Sequence, residues 1–591
     1  MAVSRSLRIV AAAVVALPGL ALAAGPDAQA KPHGEIPVRL LALNDFHGNL
    51  EPPTGSSGRM VDETGATVEA GGAVYAAAWM KQLEDENTLK VAQGDAIGAT
   101  PLISAAYHDE PTLEFLEHLG VTASAVGNHE FDEGYDELVR LINGGSHPVD
   151  GDSPAGPWDG TDFDYLGANV LLDDATKLPD VDGFEVLKRV PPGQLKKLLA
   201  KHGVPALPPV AVREVNGVRV GFIGAVTETT PTIVTAAGIE GLTFNPVVES
   251  AKFGSELLSW MGVRAQVLLV HEGDQVTAGQ SPDACSTAPD PDGSAGAGTT
   301  IATDVDPEID LILSGHSHQA YVCTVTDPAG NPRLYSQGGS FGRVISQADF
   351  KVDRKSGDVI RSTVTVDNHV VTRDIAPDPA TAAFVQDWRD RVAAVANQQV
   401  GTITADLNRA QTAVGESVLG NVIADAQLEA TRTGGGAQVA LMNPGGIRAD
   451  LAFAPDGVVT YGEAFAVQPF SNLMQVVTLT GAQLDALLEQ QWTAARTAVL
   501  SPSSTLRYTA TLSAPFGDRV SDITIDGVPL DPAASYRVAA NNFLVGGGDG
   551  FSEFLNGTDL WSGPIDLDAF TAYLTAHSPI SPPARDRITA G

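Results

Sequence analysis

The sequence predicts an α/β chain of more than one domain, and three observations carry that reading. The chain has 591 residues, too many for one hydrophobic core. Short apolar, β-prone runs alternate with helical patterns across its first half. Those runs end in turns that gather Asp, His and Asn, the place where α/β sheets carry their chemistry.

Hydrophobic residues make up 43% and charged residues 18%, which fits a globular protein. The formal net charge of −36 argues against a nucleic acid polymer or an anionic membrane as a partner. A phosphate-handling site in such a chain needs local positive charge from metals or arginines. At the N-terminus, Arg5 and Arg8 precede an apolar run from Ile9 to Ala24, followed by Ala21-Leu22-Ala23 and Ala28-Gln29-Ala30. This reads as a secretory signal peptide over residues 1–30, with cleavage after Ala23 or Ala30. No later run is apolar enough to span a bilayer, so a secreted or cell-envelope location is expected, without stable membrane insertion. The two cysteines, Cys285 and Cys323, are expected to form a disulfide that contributes roughly 3–4 kcal/mol in the chain-entropy model.

Taken in order, residues 37–46 read as a buried strand ending in Asn44-Asp45-Phe46-His47, where Asp45 and His47 can point into one cavity. A carboxylate with an imidazole suits zinc, manganese or iron. Residues 71–83 look helical, and 88–92 form the next strand, ending at Asp95, which is placed to bridge two cations. Residues 112–119 are an amphipathic helix, and 121–126 a strand leading into Gly127-Asn128-His129-Glu130-Phe131-Asp132. Asn128 offers a neutral oxygen to a cation, while Asp132 can hold His129 in one tautomer. A helical pattern follows from Tyr135 to Ile142, then an excursion loop to residue 165. His147 in that loop, like His108, His118 and His202, reads as a surface residue. Residues 218–226 and 265–270 are buried strands, the second ending at His271; 309–313 is another, ending in Gly315-His316-Ser317-His318. Residues 334–351 and 358–372 alternate like strands, and 377–398 reads as a connecting helix.

The blocks NDFHGNLEP, QGD, GNHEFD, VHEG and GHSH resemble those of the calcineurin-like metallophosphoesterases, and within them the 5′-nucleotidase family. The resemblance implies an N-terminal four-layer α/β/β/α metallophosphoesterase sandwich over residues 36–375. It also implies a linker helix over 376–399 and a C-terminal α+β substrate-binding domain over 400–591. Two divalent metal ions are implied, their identity open. One would take Asp45, His47, Asp95 and His318; the other would take Asp95, Asn128, His271 and His316. His129 with Asp132 would be the catalytic dyad.

In the second half, glycine turns at 443–448 and 541–551 let backbone approach a ligand, and Arg448 can fork onto phosphate. Here the motifs N-x-G-G-x-R, F-x-N and F-L-x-x-G-G-D-G-F match the same family. By that match Phe470 and Phe543 would sandwich a base, and Asp549 would bind the ribose. Asn443, Asn472 and Arg448 would complete the pocket, with Arg409 on the phosphate side. The position four residues beyond Arg409, arginine in several members, is Ala413 here. The resemblance implies a hydrolase removing phosphate from nucleoside 5′-monophosphates. UDP-sugar or 2′,3′-cyclic nucleotide hydrolysis shares its metal core. The rivals are a thiosulfate-ester hydrolase and a nucleotide-binding surface protein without turnover. Sequence leaves the oligomeric state open.

Overall fold

Apolar alternation in the first half builds two six-stranded sheets. The structure is a computed structural model that describes residues 34–591, except 54, 174–177, 235, 278–279, 288–294, 471 and 494–495. The signal-peptide reading lies outside the described residues.

The first sheet runs Thr365–Val370, Val344–Asp353, Glu35–Leu43, Thr88–Gln93, Val121–Ala125, Asp164–Leu166. Its last four strands are parallel and the first two join antiparallel. The second sheet runs Ala320–Thr326, Pro332–Gly338, Leu311–Ser314, Ala265–His271, Val218–Val226, Val210–Val215, parallel at its centre and antiparallel at both edges. Because side chains alternate along a strand, each sheet offers one apolar face to the other. Leu40, Ala42, Val91 and Ala123 meet Phe222, Val267, Leu269 and Leu311 in one buried cluster. Burial of each large side chain stabilises by about 1.5–3 kcal/mol. The outer faces pack under helices such as Ala73–Leu83, Glu110–Leu119 and Val247–Trp260 in a second cluster.

The expected run 334–351 is two strands, Pro332–Gly338 and Val344–Asp353. Glycines at 338, 339 and 342 break it, and the turn brings Phe341 back to the first ligand turn, where its N–H donates to the Asp45 carbonyl at 2.7 Å. Cys285 and Cys323 are bridged, as expected.

The helix Pro379–Ala396 starts with Pro379 in its first turn and Asp378 as N-cap, accepting from the Thr381 N–H. Beyond it stands a five-stranded mixed sheet in the order Ser501–Pro502, Val439–Met442, Ser535–Asn541, Leu473–Thr480, Thr558–Ile565. The helix Val418–Gly435 packs on this sheet. Leu102 of the N-terminal half is buried in the same apolar cluster as Val392, Val400 and Phe465. Among the described residues, no helix is long and apolar enough to cross a membrane.

Candidate metal centre and substrate cavity

Each parallel strand expected to carry a ligand ends at the same edge of its sheet. Asp45 and His47 follow Glu35–Leu43, Asp95 follows Thr88–Gln93, and Asn128 follows Val121–Ala125. His271 closes Ala265–His271, and His316 and His318 follow Leu311–Ser314. The chain must turn sharply there: Asp45, His47, Asp95, His316 and His318 all adopt positive φ, between 45° and 76°. Non-glycine residues in that region cost of order 1–3 kcal/mol each and gather at functional sites. Gly127 shows how tight the turns are, since a Cβ there would lie 2.2 Å from Asp95 Oδ1.

The side chains converge. One donor atom each from Asp45, His47, Asp95 and His318 lies within 4.8 Å of the others, and so does a second set of Asp95, His271 and His316. Asp95 belongs to both. His47 Nδ1 faces the Gly98 carbonyl at 2.9 Å and His271 Nδ1 faces the Gln93 carbonyl at 2.8 Å, so both rings turn Nε2 inward. His47 Nε2 and His318 Nε2 are 3.1 Å apart, and His271 Nε2 is 3.0 Å from Asp95 Oδ2.

The buried Asn128 Oδ1 makes no hydrogen bond. Orphaned buried groups of this kind carry a penalty of about 1–3 kcal/mol unless something pairs with them. Burial pushes His47 down to about 3 and His316 down to about 4, so both are neutral imidazoles, the form that ligates. Burial would also lower His271, but Asp95 outweighs it and raises the ring to about 10. The N/O donor set, the orphaned Asn128 oxygen and the neutral His47 and His316 rings fit divalent cations of the zinc or manganese kind.

His129 donates its backbone N–H to Asp95 Oδ1 at 2.9 Å, and its Nδ1 meets Asp132 Oδ2 at 2.8 Å. Burial would lower the ring, but the Asp132 and Asp95 charges outweigh it and raise it to about 9.

Asn128, His129, Asp132 and His316 line a cavity of 240 Å³ together with Asn443, Arg448, Phe470, Asn472, Phe543 and Asp549. Asn443 Nδ2 donates to Asp549 Oδ2 at 2.8 Å, and the Phe470 ring lies 5.8 Å from that of His129. The glycine run beside Phe543 has a steric cause: a Cβ on Gly548 would sit 2.6 Å from the ring. Arg409 does not line this cavity. Its Nη1 donates to the Ile447 and Arg448 carbonyls at 3.3 and 3.0 Å, so it stands behind Arg448.

Sequence reasoning gave Glu130 no task, yet its carboxylate accepts from the N–H groups of Asp95, Ala96 and Gly127 at 2.9, 3.0 and 2.6 Å. It ties two ligand turns together. Burial and Asp95 push it up to about 7, while those donors pull the other way; three N–H donors need the carboxylate form. Nor did the sequence separate His108 and His147 from surface histidines. Their side chains are 20% and 13% exposed, and their rings stack at 3.6 Å.

Comparison with known proteins bears on the whole arrangement. A family model described as the 5′-nucleotidase C-terminal domain matches residues 395–556. A cell wall protein of Listeria monocytogenes is 32% identical, over 91% of this chain and 67% of its own length. An endonuclease of Bacillus subtilis is 29% identical over 92% of the chain, which spans only 40% of that protein. The solved structure of a 5′-nucleotidase precursor from Thermus thermophilus superimposes with TM-score 0.69 at 27% identity, covering 94% of this chain and 99% of that one.

Proposed function

The chain belongs to the 5′-nucleotidase family, with a calcineurin-like phosphoesterase N-terminal region, and from that premise we propose that it removes phosphate from nucleoside 5′-monophosphates. One observation carries the reading: His129 and His316 line the same cavity as Phe470, Phe543 and Asp549. A thiosulfate ester has no base to stack, and a mere binding protein has no use for the His129–Asp132 pair. The same reading divides the chain at residues 36–375, 376–399 and 400–591.

Asp45, His47, Asp95 and His318 would hold one cation, and Asp95, Asn128, His271 and His316 the other. When bound, such ions supply Lewis acidity at the phosphoryl oxygens and an activated water. The chain's own residues do the rest. Phe470 and Phe543 stack on the base, and Asp549, held by Asn443, accepts from a ribose hydroxyl. Arg448 keeps N–H donors for phosphate, since the hydrogen bond its guanidinium makes among the described residues is a long one, to the Gly445 carbonyl at 3.5 Å. Asp132 fixes Nδ1 of His129, which leaves Nε2 to stabilise charge on phosphoryl oxygen and to hand a proton to the leaving ribose oxygen.

Turnover of AMP, UDP-glucose and 2′,3′-cyclic AMP by purified protein tests the proposal. Preference for AMP supports it; inactivity on all three with two ions bound overturns it. Export is supported by the Cys285–Cys323 bridge and by the likeness to a cell wall protein. The N-terminus of the mature protein, read by mass spectrometry, checks it.

A further inference from the structure

A second group of potential ligands lies outside the centre described above. His108, Glu133, Glu137 and His147 each offer one donor atom, all within 4.8 Å of one another. They come from two stretches that are irregular in sequence and a helix: the turn before Glu110–Leu119, the start of Tyr135–Asn143 with the residue before Gly134, and the excursion loop after it. We propose that His108, His147, Glu133 and Glu137 bind a further divalent cation of the zinc, cobalt or nickel class, distinct from the dinuclear centre.

The geometry argues for a cation rather than a plain ion-pair network. Both ring nitrogens of His108 face carboxylates, Nδ1 to Glu133 Oε2 at 2.8 Å and Nε2 to Asp150 Oδ2 at 3.0 Å. Whichever nitrogen turns to the ion, the other keeps an acidic partner, the arrangement that orients metal-binding imidazoles. His147 Nε2 points toward Glu137 Oε2; to ligate there, the ring must carry its proton on Nδ1 and turn it to Asp150 Oδ2, 3.4 Å away, in place of accepting the Asp150 N–H at 3.1 Å. The separation of His147 Nε2 from Glu137 Oε2 is 4.0 Å, too long for a hydrogen bond. Bonds of roughly 2.0–2.2 Å meeting at the tetrahedral angle set their donors about 3.4 Å apart, so a small closure of this pair would seat an ion. The imidazole planes stack at 3.6 Å and 16°, which sets the edges of both rings side by side. Arg140 donates to both Glu137 oxygens, its Nε 3.0 Å from Oε1 and 2.9 Å from Oε2, so Glu137 would give the ion a remaining lone pair of Oε2, while Glu110 accepts from the same guanidinium at 2.8 Å.

Two imidazoles and two carboxylates form a complete tetrahedral N/O set. Bound there, the ion would pin the excursion loop to Glu133, the residue after Asp132. His108 and Glu133 also line a cavity shared with His129 and Phe470, so the ion would stand beside the substrate cleft.

The test is metal content of the full chain, stripped with chelator, reloaded with zinc and measured by mass spectrometry. His147→Ala and His108→Gln should each hold one equivalent fewer than wild type, while exposed His118→Ala should match it. Asp95→Asn combined with His147→Ala should lose more metal than either alone, which separates this site from the dinuclear centre. Should a variant fail to fold, zinc titration of wild type followed by histidine NMR gives the answer. Shifted ring signals of His108 and His147 support the site. Equal metal content in wild type and His147→Ala, or His108 signals that respond to protons but not to zinc, overturn it.

Discussion

Glu130 shows how one buried side chain can govern a site it never lines. Its carboxylate gathers the N–H groups of Asp95, Ala96 and Gly127, and with them the turns that present Asp95 and Asn128. Glu130→Gln puts an amide donor against N–H donors in a buried place. Metal affinity should fall about 10–100-fold, the usual consequence of losing an outer-shell partner. Competition with a graded chelator measures this, and unchanged affinity would show that the clamp is idle. Asp95→Asn should act more severely, since both ligand sets contain Asp95. Most activity and part of the bound metal should be lost; a fully active variant with two ions would remove Asp95 from the bridging position. The clustering of Asp45, His47, Asp95, His271, His316 and His318 was legible in the sequence because each follows an apolar run that reads as a buried strand. Glu130 was not, because its partners lie up to 35 residues away and only the fold brings them together. Arg409 could be placed by its motif alone; that its Nη1 donates to the Ile447 and Arg448 carbonyls is a tertiary contact no local pattern encodes.

At the scale of elements, the helix Pro379–Ala396 carries a pH-dependent anchor. Burial would raise Asp378, but the Lys81 ammonium and the Thr381 N–H and hydroxyl outweigh it and bring the carboxyl down to about 2. A carboxyl depressed in the fold stabilises above its unfolded value, about 3.9, and that stability is lost as pH falls through about 2. Asp378→Ala should cost about 0.5–2 kcal/mol at pH 7, as N-cap removal does. Urea denaturation at pH 7, 4 and 2.5 should show the gap between variant and wild type narrowing with acid. A gap constant across that range would mean that the charge does not matter. Helices and strands of this chain were read well where the period was clean, as in Val218–Val226 and Ala73–Leu83. The excursion loop after Tyr135–Asn143 was read as irregular, which it largely is; that it carries His147 under His108 depends on tertiary contacts that no local pattern encodes.

Over the whole molecule, the metal-side residues all precede residue 320 and the base-side residues all follow residue 440, yet they meet in one cavity. Phe543→Ala should therefore raise KM for nucleotides by the equivalent of about 1–3 kcal/mol of stacking. Hydrolysis of bis-p-nitrophenyl phosphate, which has no nucleobase, should hardly change. Equal loss on both substrates would make Phe543 a structural residue and end the division of labour.

The burial of Leu102 among residues of the other half has a mechanical consequence. Asp95 lies a short stretch before Leu102 on the same strand-end excursion, and Phe470 lies just beyond the helix Tyr461–Val467, which carries Phe465 into that cluster. Asp95 and Phe470 thus hang from a single apolar joint, like two arms on one pivot. Shaving that joint, as Leu102→Ala would, should slacken both arms together: weaker metal retention and weaker nucleotide binding in one variant, from a side chain that touches neither.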